Sequence, residues 1–490
     1  MNKNNILRLT FSYVKQIGVV EPYKIQFLAL KKFFNVKSHS RIGRHNKAFY
    51  FGKMSSNHIK QSYYVRDLLY KNDYMTPRMA VLMTPKMYTY YSFQVFKFIC
   101  KVLCEPSNSD TLSFSTDHVS VFYAGFFKLH PQSIRDCVQY KASYRMFQER
   151  RTDFRNSRVL KVDIKDFFIG ITPDRLEHAL RKLCKVNNVN QTQTVSNIIN
   201  FIKESGYGSL PQSQSCLASS MLSQVYLIEF TEALEKKAAD KRLRVVRYVD
   251  DMYIELPDNF RDRDVNDLVD WISSELWQYG LNLNLSKAKL FSKRQYIENT
   301  SWANVPVGVS GAAVPVSEAV QQKISGLLGN NGFQLSLFWE EVEKLWRLKQ
   351  RDISGYFKLV NKYFSIEGDN SNKVLNGIIF GGMWKSALSL DKKKALAKFP
   401  EIMEYDPMKY VTFLTLVESN IKALDTSYAS DAVKSYVEKS HLNGANGYTL
   451  RQGLIDINYY IQNKQFIDNS DANILLLNQK YIEFIRRYVL

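Results

Sequence analysis

Arg247-Tyr248-Val249-Asp250-Asp251-Met252-Tyr253 decides the fold, because two adjacent aspartates interrupt an otherwise largely apolar run from Leu243 to Leu256. The residues before the aspartates favour a strand, and those after them alternate with the period of a half-buried strand. This order predicts a β-hairpin that carries both carboxylates at its tip. Adjacent like charges repel each other, and a divalent cation between them would relieve the repulsion. A metal site and an ordinary exposed turn both remain compatible with this stretch alone.

The charge of the chain indicates a large polyanionic partner. The 490 residues carry a net charge of +20, which is spread along the sequence and not held in one tail. Such a distribution favours nucleic acid first and an anionic membrane surface second, with a basic protein that binds neither as the alternative. The length is sufficient for two or more domains.

The cysteines and the hydropathy pattern predict an intracellular protein. Five cysteines, an odd number without a C-x-x-C pair, suggest neither a disulfide framework nor a zinc site. A reducing compartment fits best, so the predicted location is cytoplasmic. No signal-peptide core is visible, and no apolar run reaches the length of about 18 residues that a membrane span needs.

A second aspartate-bearing strand is predicted upstream of the hairpin. Val159 to Ile164 alternates so that Leu160, Val162 and Ile164 share one face, while Asp163 lies on the other. A helix is predicted to follow, with Thr172 as its N-cap and Pro173 at its first position. The region from 128 to 165 is dense in arginine and lysine, which either lines a phosphate path or forms a solvated helix face.

Two further segments complete the pattern. Gly208 to Gln212 reads as a turn, and the small residues that follow it open a predicted long helix that continues through Leu234. On the other side of the hairpin, a helix is predicted to end at Gly280. Leu281 to Leu285 then alternates as a strand, and Lys287 and Lys289 follow it.

The chain is predicted to be an α+β protein in three parts. Residues 1–125 form an N-terminal region, 126–316 a central domain that contains the aspartate segments, and 317–490 an all-helical C-terminal domain, for which stacked helical repeats are one arrangement. Helix-like apolar spacing marks Tyr63 to Tyr70 and Tyr88 to Val102 in the N-terminal region.

Taken in order, these segments resemble the palm of a reverse transcriptase. The resemblance rests on a strand that ends in an aspartate, a Leu-Pro-Gln turn before a helix, a Tyr-Val-Asp-Asp hairpin and a Leu-Asn strand followed by lysine, and it covers roughly residues 125 to 300. It implies a four-stranded antiparallel sheet backed by helices, with the fingers formed upstream. It also implies a nucleotidyltransferase that synthesises DNA from dNTPs.

The resemblance assigns roles to individual residues. Asp163, Asp250 and Asp251, with the main-chain carbonyl of Ile164, would hold two Mg²⁺ ions, with Mn²⁺ as the alternative ion. Phe168 matches the aromatic ring that excludes a ribose 2′-hydroxyl. Gln212 matches a residue that contacts the incoming nucleotide. Lys287 would protonate or neutralise pyrophosphate, with Lys289 as the competing candidate.

The sequence departs from the usual reverse-transcriptase pattern at two places, and these departures favour one branch of the family. Ser213 stands where the family usually has glycine after Leu-Pro-Gln, and the usual thumb signature is replaced by the helical region. These features resemble the abortive-infection (Abi) branch of bacterial reverse transcriptases. That resemblance implies an anti-phage role, untemplated synthesis primed from a protein tyrosine, and a homo-oligomer. Its product would be single-stranded DNA attached to the protein, and Tyr13 is our candidate among the 30 tyrosines.

Two alternative functions stay open. One is a templated RNA-directed DNA polymerase that uses a bound RNA. The other is a non-catalytic RNA-binding scaffold with a relict palm, which the positive charge and the helical region would suit.

Overall fold

The computed structural model describes residues 2–20, 25–35, 47–52, 64–70, 77–103, 112–125, 127–128, 140–206, 208–212, 216–301, 483–484 and 487–488. The chain divides into two compact units, and the first comprises Met1–Asp67 and Met79–Ser301 apart from one C-terminal residue. Nearly all described residues belong to it. The predicted helical domain at 317–490 lies almost wholly outside the described residues, so its architecture stays a prediction.

Helices and strands alternate through the first unit. The helices are α1 (Lys3–Val20), α2 (Ile25–Asn35), α3 (Lys47–Phe51), α4 (Pro85–Val102), α5 (Tyr140–Thr152), α6 (Phe167–Gly170), α7 (Pro173–Val186), α8 (Thr192–Glu204), α9 (Leu217–Tyr226), α10 (Ile228–Lys241), α11 (Asp262–Gln278) and α12 (Lys293–Ser301), with a 3₁₀ helix at Leu285–Lys287. The strands are β1 (Tyr64–Tyr70), β2 (Pro77–Met83), β3 (Val119–Phe122), β4 (Arg158–Lys165), β5 (Arg244–Tyr248), β6 (Asp251–Leu256), β7 (Asn282–Leu283) and β8 (Lys289–Phe291). The predicted α+β class is confirmed.

A six-stranded sheet forms the centre of this unit. Its order is β3-β5-β6-β4-β7, and β8 also pairs with β4. Strands β4, β5, β6, β7 and β8 pair in antiparallel fashion, as the resemblance implied. Strand β3, however, runs parallel to β5, so the implied purely antiparallel sheet of four strands is wrong. Parallel neighbours need a long connection, and the chain from β3 to β5 supplies one that contains α5, β4 and several helices.

The two faces of this sheet are covered to different extents. On one face Leu160, Val162 and Ile164 of β4 belong to a large apolar core shared with the helices. On the other face Val159 joins a smaller cluster that includes Phe147 of α5 and Tyr296 of α12. On this second face of β4, Val159 is covered by the smaller apolar cluster, and Asp163 lies on the same face at the other end of the strand.

Several local predictions are confirmed. Helix α4 contains the predicted stretch Tyr88 to Val102, and its Thr84 N-cap accepts a hydrogen bond from the Met87 amide. Helix α7 begins at Pro173 after Thr172, although the Thr172 side chain makes no capping bond. Helix α11 is followed by Gly280 at φ +66°, a conformation that glycine adopts without strain.

Other local predictions are wrong. The predicted helix at Tyr63 to Tyr70 is strand β1, because apolar spacing over so few residues cannot distinguish a helix from a strand. The single helix expected to continue through Leu234 is interrupted at Leu227. At Leu227 the backbone leaves the helical region, with φ −95° and ψ 10°, and the helices on either side differ in burial, since α9 is buried at every position and α10 on one face only. The strand expected at Leu281 to Leu285 is only the two residues of β7, followed by the 3₁₀ helix.

Membrane insertion has no structural support in this part of the molecule. Within the described ranges, none of the helices combines the length and the apolar character that spanning a bilayer requires.

Candidate active site

The hairpin predicted from the two aspartates is present between β5 and β6. Tyr248 pairs with Asp251, which leaves Val249 and Asp250 as a two-residue turn. Val249 has φ +56°, and only this first central residue has positive φ, the pattern of a type II′ turn. A β-branched residue is strained in that conformation, so the tip is held by its surroundings and not by its own preference.

Strand β4 brings the third carboxylate to this tip. Asp163 lies directly opposite Asp251 in the register of β4 and β6. The amide of Ile164 donates a hydrogen bond of 3.1 Å to the carbonyl of Asp250, which ties the turn to the end of β4. Directly opposed residues in antiparallel strands have Cα atoms about 4.5–5.5 Å apart. The structure therefore brings the end of β4 beside the hairpin tip, with Asp163, which is only 5% exposed, paired with Asp251 and the next residue tied through its main chain to Asp250.

A lysine stands beside each of the two paired carboxylates. Lys287 Nζ lies 3.2 Å from both oxygens of Asp163, and Lys161 Nζ lies 3.7 Å from Oδ1 of Asp251. Burial by itself would lower the pKa of Lys161, but the neighbouring Tyr253 and Asp251 raise its pKa above the ordinary value. Lys289, the competing candidate, holds its ammonium 4.9 Å from the centre of the Phe291 ring. The structure thus brings Lys287, of the two predicted lysines, to the carboxylate of Asp163.

Lys161 was missed by the sequence reasoning, although a signal was present. It lies two residues before Asp163 on β4, so the strand period places both side chains on one face. Since β4 also pairs Lys161 with Lys289 of β8, two lysines lie side by side next to the aspartates.

The donor set fits a hard divalent cation by its chemistry. Magnesium prefers carboxylate oxygens, and the cluster supplies three carboxylates and the nearby main chain of Ile164. Within the described part of the chain, no three carboxylate, histidine or cysteine side chains are already gathered around one point. Asp163 and Asp251 have ammonium groups as their counter-charges instead. Those lysines mark where positive charge is stabilised, and a bound metal ion would take over that role.

Phe168 follows β4 directly in the chain, and the turn that contains Gln212 is tied by a main-chain bond to Ile171, just after the helix of Phe168. Phe168 lies on α6, which begins after Asp166 at φ +46°, and its half-buried ring is 5.5 Å from that of Phe167. The amide of Leu210 donates a 2.9 Å hydrogen bond to the carbonyl of Ile171, so the Leu-Pro-Gln turn is anchored just beyond α6.

The Gln212 carbonyl accepts a 2.9 Å hydrogen bond from the amide of Val81 at the end of β2. The turn is therefore fixed on both sides, while Ser213 lies outside the described residues. The nucleotide-contacting roles of Phe168 and Gln212 stay predictions.

Tyr13 is in the core of the described N-terminal helices. It is 1% exposed, and its hydroxyl accepts a 2.8 Å hydrogen bond from the amide of Leu217. Its ring packs edge-on against Phe96 at 5.0 Å. In this arrangement a nucleotide cannot reach the hydroxyl, because α9 and α4 cover it. Tyr13 therefore does not fit the role of a priming residue.

Most of the described arginines in the basic region are engaged in structural contacts. Arg158 bonds the carbonyl of Phe260 and the carboxylate of Asp262. Arg151 is 5% exposed and places its guanidinium 3.7 Å from the centre of the Tyr253 ring. This cation–π contact packs α5 against β6. Arg151 and Arg158 therefore connect neighbouring helices and strands of the described fold, and a phosphate path along the basic region stays a prediction.

Arg247 is a second residue that sequence reasoning did not single out. It is fully buried below the hairpin, where Nη1 donates to the carbonyl of Val249 at 3.2 Å and Nη2 to Oγ1 of Thr231 at 2.9 Å. Burial lowers its pKa to about 9, against the opposite effect of Asp250, so it stays charged at neutral pH. The sequence shows this arginine just before the two aspartates, but local pattern does not predict that it is completely buried.

A groove of about 810 Å³ lies elsewhere, between α7 and the helices α10 and α11. Its lining mixes both signs of charge, with Arg175 and Lys182 facing Glu229 and Glu232. None of the predicted site residues lines it, so its chemistry is separate from that of the aspartate cluster.

Comparison with known proteins defines no family for this chain. No protein-family model matches the sequence, and no curated protein matches it. Similar solved structures include telomerase from Candida albicans in complex with a fragment of telomeric RNA, with TM-score 0.29 and 14% identity over 89% of this chain and 66% of that one. Telomerase from Candida tropicalis in a similar complex has TM-score 0.25 and 11% identity over 71% of this chain and 52% of that one.

The chain thus spans less than two thirds of the length of either telomerase structure. Likeness of this degree carries no argument about fold or activity. What the site can do has to be argued from its own residues.

Proposed function

We propose that the chain is a metal-dependent polymerase of the reverse-transcriptase type, which synthesises DNA from dNTPs. The observation that carries the proposal is the pairing of Asp163 with Asp251 across β4 and β6, with Asp250 in the adjoining turn and Lys287 on Asp163. A binding module has no evident need to bury a carboxylate such as Asp163 beside a second carboxylate, because grouping like charges destabilises the fold.

The proposed chemistry is nucleotidyl transfer. Asp163, Asp250, Asp251 and the carbonyl of Ile164 would hold two magnesium ions. When bound, these ions would stabilise the charge on the attacking oxygen, the α-phosphate and the departing pyrophosphate. The residues of the chain then orient the reactants. The Lys287 ammonium, which lies next to Asp163, either transfers a proton to the departing pyrophosphate and becomes a neutral amine, or keeps its proton and neutralises part of the pyrophosphate charge.

Substrate selection is assigned to the residues beyond β4. Phe168 excludes a 2′-hydroxyl through its ring, so the substrates are dNTPs and not rNTPs. Gln212, fixed by its main-chain bond to Val81, contacts the incoming nucleotide. Both assignments follow the resemblance of this region to a reverse-transcriptase palm.

The finer proposal is untemplated, protein-primed synthesis in anti-phage abortive infection. Its support is the resemblance to the abortive-infection branch, carried by the sequence Leu210-Pro211-Gln212-Ser213, in which the usual glycine of the segment that positions the template strand is absent. The product is single-stranded DNA attached to a tyrosine other than Tyr13. The cytoplasmic location and the homo-oligomer stay predictions of the sequence.

The decisive experiment is a polymerase assay without template or primer. The purified full-length chain is incubated with Mg²⁺ and labelled dNTPs, and the label that stays with the protein through denaturation is measured. We expect label on the protein, and we expect none with EDTA or with Asp250→Ala. Equal labelling by Asp250→Ala would show that the site is wrong.

Two further arms separate the alternatives. Nuclease treatment of the protein before the assay abolishes incorporation only if a bound RNA is the template. Binding of labelled RNA without incorporation under any condition would favour the RNA-binding scaffold.

A further inference from the structure

A fully buried arginine lies below the aspartate hairpin. Strand β5 alternates so that Val246 and Tyr248 face the smaller apolar cluster, while Val245 and Arg247 face the large core. The guanidinium of Arg247 bonds Val249 and Thr231, and its Nε is buried with no hydrogen-bond partner. Arg247 is among the largest completely buried side chains of the described residues.

Packing alone does not explain this residue. Burying a guanidinium is unfavourable unless its donors are all satisfied, and an apolar side chain of similar volume usually packs at no loss of stability. Here Nε has no partner, the core side chains around the guanidinium are apolar, and the charged group that acts on it is Asp250 of the turn itself. The other two bonds must therefore serve a purpose that an apolar residue could not.

The purpose is visible at the turn. Val249 is a β-branched residue at φ +56°, and it is buried at 6% exposure. Residues keep such conformations only where surrounding contacts impose them. The amide of Val249 donates a 3.0 Å hydrogen bond to the carbonyl of Phe122, and its carbonyl accepts the bond from Arg247. Both main-chain polar groups of the strained residue are thus held from below.

The direction of the hairpin tip depends on Val249. The next residue is Asp250, and its carbonyl is fixed by the amide of Ile164 at the end of β4. If the Val249 peptide rotated to relax its φ, the carboxylates of Asp250 and Asp251 would change direction relative to Asp163. The hydrogen bond from Arg247 to the Val249 carbonyl therefore helps to fix the directions of Asp250 and Asp251 relative to Asp163.

We propose that Arg247 is a positioning residue whose guanidinium holds Val249 in its strained turn and so aims Asp250 and Asp251 at a divalent cation shared with Asp163. This rests on the proposed function for its consequence in catalysis, but its immediate effect is on metal binding. Arg247 touches neither substrate nor metal. It acts through the main chain of the turn.

The test compares variants of the full-length chain in a Mn²⁺ titration followed by electron paramagnetic resonance, with Mn²⁺ as the probe. Arg247→Met keeps an unbranched apolar side chain in the core and removes the guanidinium with its bond to Val249, and we expect its Kd for Mn²⁺ to rise about tenfold or more. Thr231→Val removes the other partner and leaves the bond to Val249, so we expect a smaller rise.

The double variant Arg247→Met with Val249→Gly makes the inference specific. Glycine adopts positive φ without strain, so the turn no longer needs to be held. We expect the double variant to recover most of the Mn²⁺ affinity that Arg247→Met loses. A purely structural role of Arg247 predicts the opposite, because glycine would add a second loss of packing.

The outcomes separate this inference from the proposed function. If wild type binds Mn²⁺ but incorporates no nucleotide, the proposed function fails, and Arg247 is still judged on Mn²⁺ affinity. Unchanged affinity in Arg247→Met, no recovery in the double variant, or no Mn²⁺ binding by wild type each overturns the inference. Circular dichroism monitors folding, and if Arg247→Met does not fold, Arg247→Lys with and without Val249→Gly is compared by the same criteria.

Discussion

Two segments contribute aspartates to the site, and they hold their backbones in different ways. The hairpin tip, Tyr248 to Asp251, contains Val249 at φ +56°, and the β4 exit, Asp163 to Gly170, contains Asp166 at φ +46°. Val249 is buried, whereas Asp166 is exposed. Aspartate tolerates the left-handed region and valine does not. The β4 exit therefore follows local preference, while the hairpin tip is imposed by tertiary contacts.

The two segments also differ in how firmly tertiary contacts hold their main chains. At the hairpin tip, hydrogen bonds from Arg247 and Ile164 and one to Phe122 fix the main chain around the turn. At the β4 exit, Lys165, Asp166 and Ile169 are exposed, and α6 is only four residues long. We expect the tip to tolerate little change in geometry and the exit to tolerate more.

The largest expected effect separates Asp163 and Asp250, one from each segment, from Asp166 at the β4 exit. Asp163→Asn and Asp250→Asn should each lower DNA synthesis more than about a hundredfold, because each removes a carboxylate charge that holds the metal. Asp166→Asn, the matched change at the β4 exit, should alter the rate less than about twofold, since asparagine also tolerates positive φ. Incorporation of labelled dNTPs measures all three. Wild-type activity in Asp250→Asn would contradict the assigned site.

The next effect compares the lysines beside the two segments. Lys287→Met should lower kcat by about a hundredfold, because it removes the proposed acid for pyrophosphate. Lys161→Met removes the same charge beside Asp251, but a partly exposed ion pair contributes little, so we expect a change below about threefold. Steady-state kinetics of both variants decides between them. Equal losses would mean that charge next to the aspartates matters and position does not.

A smaller effect concerns selectivity at the β4 exit. Phe168→Ala should lower the preference for dNTPs over rNTPs by about tenfold or more, because the ring that excludes the 2′-hydroxyl is lost. The exposed neighbour Ile169 is the control, and Ile169→Ala should leave the preference unchanged. Competing incorporation of dCTP and CTP gives the ratio. An unchanged ratio in Phe168→Ala would remove that residue from the substrate site.

The smallest effect is on stability and tests the strain itself. Within helices and strands, a glycine normally makes a protein less stable than an alanine at the same position. At position 249 we expect the opposite, with the free energy of unfolding of Val249→Gly higher than that of Val249→Ala by up to about 1 kcal/mol. Asp166→Gly at the β4 exit should change the free energy of unfolding by less than about 0.5 kcal/mol. Urea unfolding measures these differences. A more stable Val249→Ala would show that the hairpin tip is unstrained.

The sequence could predict the parts that depend on local pattern. Period-2 alternation located β4 and the two strands of the hairpin, and adjacent aspartates located the tip. Proline and glycine located the start of α7 and the end of α11. The same reasoning failed at Tyr64–Tyr70, where the window was too short, and at Leu227, where the apolar pattern continues although the helix is interrupted.

Neighbouring residues alone are enough to predict which carboxylates occur at strand ends and that a lysine follows the Leu-Asn strand, because these properties depend on local pattern. Only the tertiary structure decided that Asp163 pairs with Asp251, that Lys287 and not Lys289 reaches Asp163, and that Tyr13 is covered. It also decided that Arg247 is buried beneath a strained turn. Register and burial depend on residues distant in sequence, and local periodicity contains no information about those partners.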